Sequence, residues 1–469
     1  MRRSIMWFRN DLRLHDNEAL LDAISHNQEV LCLYIIDPRL FNGKTSYGFR
    51  KAGKFRLKFI LDSLTDLKAN LIKNGSDLCI RIGKPEEIIP EIAREIRSSY
   101  VYCNRERTKE EVSVQDDLEK ALWAIGQEMR YYRGKMLYYT ADLPFPVTHC
   151  PDTFTQFRKE VEKFVSIRKP LESPKSIEPV SLEIDMGSIP PLKEFGYELD
   201  SEVLAIRGGE SEALAQLNYY LWDKNLIDHY FETRNGLLGR DYSSKFSAHL
   251  SKGTLSPKLI MSELLKYESE VLKNKSTYWL GFELLWRDFF RLMGKKHGNR
   301  IFLPTGTKGK LDIKLYDNKV LFEKWTSGMT GIPFVDANMR ELIATGYMSN
   351  RGRQNVASFL VKDLNINWLW GAEYFESLLI DYDPCSNYGN WNYIAGIGSD
   401  PREARYFSIP LQAKKYDPDG SYMKHWLPEL KDAPLKFLFN PFPVSKDEFN
   451  NEQIYPNPCI EIKTWKEVG

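Results

Sequence analysis

Asp381, Asp383 and Asn387 stand among aromatic rings, paired arginines and glycine-rich turns in the stretch Gly346–Ile409. Ten of the 47 residues from Tyr347 to Tyr393 are Phe, Trp or Tyr, against 13% for the whole chain. Carboxylates and an amide beside concentrated rings suit a planar ligand, stacked on its faces and hydrogen-bonded along a polar edge. A helical core would use the same rings, with Trp368 and Trp391 as tryptophans packed under the turn DYDPCSNYGNW. Asp381 and Asp383 could cap a helix or serve as general acids. No histidine partners them locally and no metal-ligand spacing is present, so hydrolytic acid–base chemistry ranks below a redox group served by the rings.

Two earlier segments carry compatible chemistry. Ser243, Ser244 and Ser247, with Lys245 among them, precede a helical run, where free backbone N–H groups favour an anion such as a diphosphate. The same serines would serve equally as ordinary helix caps. In WLGFELLWRDFFRLM, Glu283 and Trp286 are three residues apart and share a helix face, presenting a carboxylate and a large ring together, as a stacking pocket for a base requires. Glu283 and Arg287, four apart, could instead form a simple surface pair, and Arg291 lies one turn further on.

These groups need a large scaffold, and the chain supplies one. At 469 residues and 42% hydrophobic content it can bury two substantial cores. No run of about 18 apolar residues occurs, and MRRSIMWFRNDLRLHDN lacks the apolar core of a signal peptide, so no membrane association and a cytoplasmic location are expected. The six cysteines lie far apart, which suits core thiols rather than a disulfide frame or a zinc site. A net charge of +1 leaves nucleic-acid binding to a local basic surface. SIMWFR, VLCLYIID, DLCIRIG and YVYCN read as strands, alternating with helical spacing at 54–73 and 85–97, the pattern of a doubly wound parallel sheet. No G-x-G-x-x-G follows the first strand, which argues against ordinary dinucleotide binding there. Proline-containing, loosely patterned sequence from about 137 to 200 reads as a long surface connection. Beyond it helical spacing dominates, clearest at 211–222, 257–272, 279–295, 335–345 and 351–364.

Taken in order, these pieces resemble the photolyase and cryptochrome flavoproteins, most closely their DASH branch. The resemblance rests on WFRNDLRLHDNEAL, FTQFRKEVEKF, YFETRNGLLGRDYSSKFS, ELLWRDFFR, TGIPFVDANMREL, DYDPCSNYGNW and DPREARYFSIP. It implies an α/β antenna domain at 1–135, a linker at 136–200, an all-α FAD-binding catalytic domain at 201–445 and a tail at 446–469. By position, Tyr230, Ser243, Ser244, Lys245, Phe246 and Ser247 correspond to contacts with the FAD phosphates. Arg287, Asn350, Arg353, Asp381 and Asp383 correspond to residues around the ribityl and isoalloxazine portions, and Asn387 to the amide facing flavin N5. In this family an electron passes from photoexcited reduced FAD to a cyclobutane pyrimidine dimer, the ring splits and the electron returns. Glu283 resembles the residue that hydrogen-bonds the dimer, and Trp286 the ring that stacks on the flipped lesion. Asn350, Gln354 and Tyr393 complete that pocket, while Arg351, Arg402 and Arg405 hold flanking phosphates.

Departures from the family pattern refine the expectation. Tyr393 and Gln354 stand where duplex-repairing photolyases usually have Trp and Met, which implies a looser pocket and a preference for single-stranded DNA, where flipping costs less. RNA is a second nucleic-acid partner to consider, and a monomer is expected. Histidines stand at the places of Asn350 and Gln354 in (6-4) photolyases, so acid-assisted repair is not implied. Trp391 and Trp368 correspond to the proximal and middle members of the photoreducing tryptophan chain. Leu315 occupies the usual distal place, leaving Tyr316 or Trp370 as substitutes. Glu110 and Glu111 fall where the family holds the antenna 5,10-methenyltetrahydrofolate, although KEE also reads as a solvated helix face. A blue-light receptor or nucleic-acid-binding regulator with the same flavin photochemistry stays open beside repair, as does a dark flavin oxidoreductase.

Overall fold

The computed structural model describes residues 2–199, 206–310, 314–399, 406–442 and 455–461. The chain divides into two compact units, one of Met1–Tyr230, Ser244–Asn299 and Ile380–Ser386, the other of Phe231–Ser243, Arg300–Leu379 and Asn387–Gly469.

The first unit is built on a sheet. Strands β1 (Arg3–Phe8), β2 (Glu29–Ile36), β3 (Leu78–Ile82), β4 (Ser98–Asn104) and β5 (Glu128–Tyr132) pair in parallel in the order β3-β2-β1-β4-β5. Every residue of β2 is buried, and beyond Glu29, which pairs with Arg3, all are apolar or aromatic, as an inner strand covered on both faces requires. β5 escapes the sequence pattern because EMRYY is a polar edge strand, with Glu128 and Arg130 exposed. Helices α1 (Glu18–His26), α2 (Pro38–Phe41), α3 (Lys54–Lys73), α4 (Pro85–Glu95) and α5 (Lys109–Trp123) connect the strands and cover two apolar faces. A third core in this unit is helical and includes Phe157, Leu217, Tyr220 and Phe289. It is formed with α6 (Phe154–Phe164), α7 (Glu210–Asn218), α8 (Tyr230–Thr233, which crosses the unit boundary), α9 (Ser247–Lys252), α10 (Pro257–Glu270) and α11 (Lys275–His297).

The segment NDLRLHDN, where a phosphate loop might have stood, ties the sheet to these helices. The Arg13 guanidinium donates to the carbonyls of His15, Asp16, Gly134 and Gly253 at 2.8–3.0 Å. His15 shares a short hydrogen bond with Glu210, and its Nε2 accepts from Ser256 N at 3.1 Å.

The second unit is helical: α12 (Lys319–Thr326), α13 (Pro333–Thr345), α14 (Asn350–Ser358), α15 (Trp368–Leu378), α16 (Pro384–Ala395, entered from the first unit's last segment), α17 (Ile409–Tyr416), α18 (Ser421–Trp426) and α19 (Leu435–Phe439). The expected helices at 211–222 and 351–364 each end in a wider π-turn, at Tyr219–Asp223 and Phe359–Asp363. Each turn is followed two residues later by an asparagine in the left-handed region, Asn225 (φ 49°) and Asn365 (φ 52°), so a D-x-N signature marks both. Part of the carboxyl tail docks in this unit. Tyr455 is buried and donates to Asp336 Oδ2 at 2.6 Å, and Cys459 N donates to Thr330 O at 2.7 Å. Gly331 permits the approach: φ is +79° and a Cβ there would lie 2.4 Å from Asn457 backbone. Among the described residues no helix is long and apolar enough to cross a membrane, and no His/Cys/Asp/Glu cluster has the form of a metal site.

Candidate functional site

In the first unit, α11 carries the central pair. It starts at Asn274, whose side chain accepts from Ser276 N (2.8 Å) and Thr277 N (3.0 Å), a cap that fixes the helix phase. Glu283 and Trp286 then lie one turn apart and half-buried. The Glu283 carboxylate accepts a short hydrogen bond from the buried Tyr230 hydroxyl, so this expected phosphate ligand and this expected lesion contact meet each other. Trp286 stacks on Phe154 with centroids 3.8 Å apart and planes 9° from parallel. Arg287 turns to backbone carbonyls, donating to Lys135 O and to Leu250 O (3.0 Å), rather than to Glu283.

Asp383 lies in the segment Ile380–Ser386 and accepts from Ser386 N at 2.8 Å and from Arg291 Nη1 at 3.1 Å. Arg291 Nη2 reaches Glu106 Oε2 at 3.3 Å, and Glu106 Oε1 takes Lys135 Nζ at 2.6 Å and Asn10 Nδ2 at 3.1 Å. Glu106 follows β4 and Asn10 follows β1, so this network sits at the carboxyl ends of the strands where the order reverses, the usual ligand crevice of a doubly wound sheet. Burial alone would raise Asp383, but Arg291, Lys135 and Arg287 outweigh it and hold the carboxyl below its ordinary value. Glu106 behaves alike, with Lys135 and Arg291 overcoming burial. Asp381 is buried in the same segment. Between these aspartates Tyr382 is gripped by Lys252 Nζ on its carbonyl (3.2 Å) and by Arg56 over its ring (4.8 Å). Burial among these cations pushes Lys252 down to about 7.

Of the serine run, Ser244 is buried and its carbonyl accepts from Gln216 Nε2 at 3.1 Å, whereas Ser247 is exposed at the first turn of α9. Lys245 holds φ at +58°, a costly conformation for a lysine, and Phe246 is buried behind it. Ser243 falls in the second unit. At the start of α5, Glu110 pairs with Lys51, and Glu111 accepts from Thr108 Oγ1 at 2.7 Å and from Thr108 N at 3.4 Å, the latter its half of a capping box.

In the second unit, α14 presents Asn350, Arg351, Arg353 and Gln354 within two turns, after Ser349 caps it by accepting from Gly352 N. Asn350 is exposed; Arg353 donates to Met348 O at 2.9 Å and lies over the Tyr347 ring. Arg351 donates to Gln354 Oε1 (2.9 Å) and Asn235 Oδ1 (3.0 Å) and covers the Tyr416 ring. On α16, Asn387 is buried and its Nδ2 donates to Ala372 O at 3.0 Å, which leaves Oδ1 as an acceptor. Tyr393 is half-buried on the same helix. Trp391 packs edge-on against Phe375 (5.2 Å) and Trp325 (6.4 Å), against a glycine, Gly371, where a Cβ would come within 2.3 Å of its ring. Trp368 is fully buried, donates to Pro304 O at 3.0 Å and meets the Tyr388 ring edge-on at 6.2 Å. Trp370 meets Phe322 at 5.0 Å. Tyr316 is 52% exposed and bridges to Ile366, close in sequence to Trp368. Arg402 and Arg405 lie outside the described residues.

Sequence reasoning missed Glu106 and Lys135, among other charged residues, and Lys252, Asn235 and Tyr416, whose partners are distant in the chain. Only their contacts with groups distant in sequence, visible in three dimensions, single them out.

Comparison with known proteins is consistent along the chain. A family described as FAD binding domain of DNA photolyase matches residues 279–468, and one described as DNA photolyase matches residues 4–175. The cryptochrome DASH of Gloeobacter violaceus is 48% identical over 467 residues, covering 98% of this chain and 93% of that protein. That of Synechocystis sp. is 47% identical over 468 residues, covering 98% and 95%. The crystal structure of a Synechocystis cryptochrome superposes with a TM-score of 0.95 at 46% identity, over 100% of this chain and 98% of that one. A class III photolyase from Agrobacterium tumefaciens gives 0.86 at 28% identity, over 100% and 96%.

Proposed function

The chain belongs to the photolyase/cryptochrome family, beside its DASH members, and from that membership we propose that it repairs cyclobutane pyrimidine dimers under light, preferentially in single-stranded DNA. The coarser statements need no proposal: it has the family's parallel α/β domain and helical FAD-binding domain, and it is a photolyase-like protein of a family that acts on DNA.

The residues present fit FAD. Asn387 is the best evidence, since a buried amide with its nitrogen tied to Ala372 O offers an oxygen to a ring nitrogen that gains a proton as the flavin is reduced. Bound there, FAD supplies one-electron chemistry driven by light. Asp381, Asp383, Arg287, Asn350 and Arg353 hold its polar edges, and Tyr230 with Ser243–Ser247 its phosphates. Trp391 and Trp368 would pass electrons inward to a bound flavin when light reduces it. Glu283 hydrogen-bonds the dimer where negative charge develops, Trp286 stacks on it, and Gln354 and Tyr393 line the pocket. Arg402 and Arg405 bind flanking phosphates. The function-bearing regions are 1–135, a linker at 136–200, 201–445 and a tail at 446–469. A folate antenna at Glu110 and Glu111 would take over from Lys51 and Thr108 as their partners. We place the protein in the cytoplasm as a monomer.

One observation carries the repair reading: on α11 a carboxylate held by Tyr230 and a half-buried indole backed by Phe154 share a helix face. A pure light sensor need not retain that pair. The test is irradiation of the reduced protein with near-UV or blue light beside thymine-dimer oligonucleotides, single-stranded and duplex. Light-dependent restoration of the single strand is expected; binding without repair of either would end the enzyme reading. Glu283→Ala should lower repair at least tenfold while flavin content stays near normal, and equal loss of both would remove its assigned role.

A further inference from the structure

In the second unit the Arg351 guanidinium is held from three sides. Nη1 donates to Gln354 Oε1 at 2.9 Å, Nη2 donates to Asn235 Oδ1 at 3.0 Å, and the plane lies 4.6 Å from the Tyr416 ring centroid. A contact to a phosphate needs a positive charge, and a flexible lysine would serve. This arrangement does something more specific. A guanidinium has donors only, so the amide it grips must present its oxygen to it, and Gln354 Nε2 is left pointing elsewhere as a donor. Asn235 and Tyr416 keep the arginine from yielding if the amide tries to turn over. A loose glutamine rotates and offers either a donor or an acceptor; this one offers a donor.

We propose that Arg351 is a positioning residue that makes Gln354 select the base, with Nε2 donating to the C4 carbonyl of a dimerised thymine or uracil and rejecting cytosine there. The inference rests on the pyrimidine-dimer reading given above. The C2 carbonyl is common to all three pyrimidines, so a fixed amide facing it would select nothing. At C4 the group changes from a carbonyl acceptor in thymine and uracil to an amino donor in cytosine. A donor locked toward C4 therefore favours thymine and uracil. One locked toward N3, an N–H in those bases and a bare nitrogen in cytosine, would favour cytosine, so the sign of the preference reports which edge it meets. Two donors facing each other cost roughly ten- to a hundredfold in affinity.

The test is equilibrium binding in the dark to short single strands carrying one thymine–thymine dimer, a freshly prepared cytosine-containing dimer, or no damage, across a range of salt. The unmodified protein should bind the thymine dimer about tenfold or more tightly than the cytosine-containing one. Arg351→Lys keeps the charge but trades the planar, pre-organised fork for one rotatable ammonium nitrogen, so the Gln354 amide is no longer fixed in one orientation and this ratio should fall toward one. Gln354→Glu replaces the donor with an acceptor and should shift the preference toward cytosine. Equal affinity of the unmodified protein for the two dimers overturns the proposal. So does Arg351→Lys that retains the ratio, which would leave Arg351 a phosphate contact only. Absence of any preference for dimers over undamaged DNA would instead strike the dimer reading itself and take the inference with it.

Discussion

At the scale of single residues, the strongest constraint is that buried charges come in matched sets. Arg291 serves two carboxylates, Asp383 at 3.1 Å and Glu106 at 3.3 Å, all nearly inaccessible. Replacing it by methionine leaves both acids short of a partner, and the cost of such a break is about 3–5 kcal/mol. The sign with pH follows from the lowered carboxyls. Their contribution is complete above the ordinary carboxylate range and is lost only as pH falls below it, so the deficit of Arg291→Met against the unmodified protein should be full from neutrality down to about pH 5 and shrink below about pH 4. Urea unfolding of both proteins across that range measures it; a deficit that grows on acidification would be incompatible with these pairs. The candidate residues Glu283, Trp286, Asp381, Asp383 and Asn387 were legible at this scale because they sit in motifs. Glu106 and Tyr416 were not, since a charged loop or a helix-terminal tyrosine looks the same whether or not an arginine distant in sequence needs it.

At the scale of elements, α9 shows how a short helix can be made sensitive to acid. His249 is buried on it, its Nδ1 2.9 Å from Thr254 Oγ1 and its ring 5.3 Å from Phe59, and burial pushes its pKa down to about 4. The folded value lies below the ordinary 6.5, so the stability it provides is complete above 6.5 and is lost as pH falls toward 4, on the order of 3 kcal/mol in all. His249→Gln should therefore flatten the fall of the thermal midpoint between pH 6.5 and 4, while an identical fall would exclude this residue as its source. Element type was readable from periodicity for the long helices and for β1 to β4. It failed at β5, whose polar edge carries no apolar signal, and at the two π-turns, because a widened last turn keeps the helical spacing of its side chains.

At the scale of the whole molecule, the sequence suggests a boundary near residue 135, while the first compact unit also draws on Ser244–Asn299 and Ile380–Ser386. Asp288, for example, accepts from the backbone of Leu137 and Tyr138 at 3.0 and 2.8 Å, and Lys135 and Glu106 face Arg291. A polypeptide of residues 1–135 should accordingly lack a cooperative unfolding transition in denaturant, and a sharp transition matching the full chain would show that the later stretches are dispensable. Sequence texture could not reveal this, because linkers are recognised by composition and compact units by contacts between distant stretches. The same discontinuity bears on the protein's synthesis. Asp383 follows its partner Arg291 by 92 residues, so at roughly 5–20 residues per second the arginine waits about 5–18 s on the ribosome with only Glu106 to meet it. Helices α12 to α15 of the second unit are made in that interval, before the first unit receives its last piece. A newborn chain is thus exposed to chaperones and to misassembly for as long as that seven-residue segment is missing.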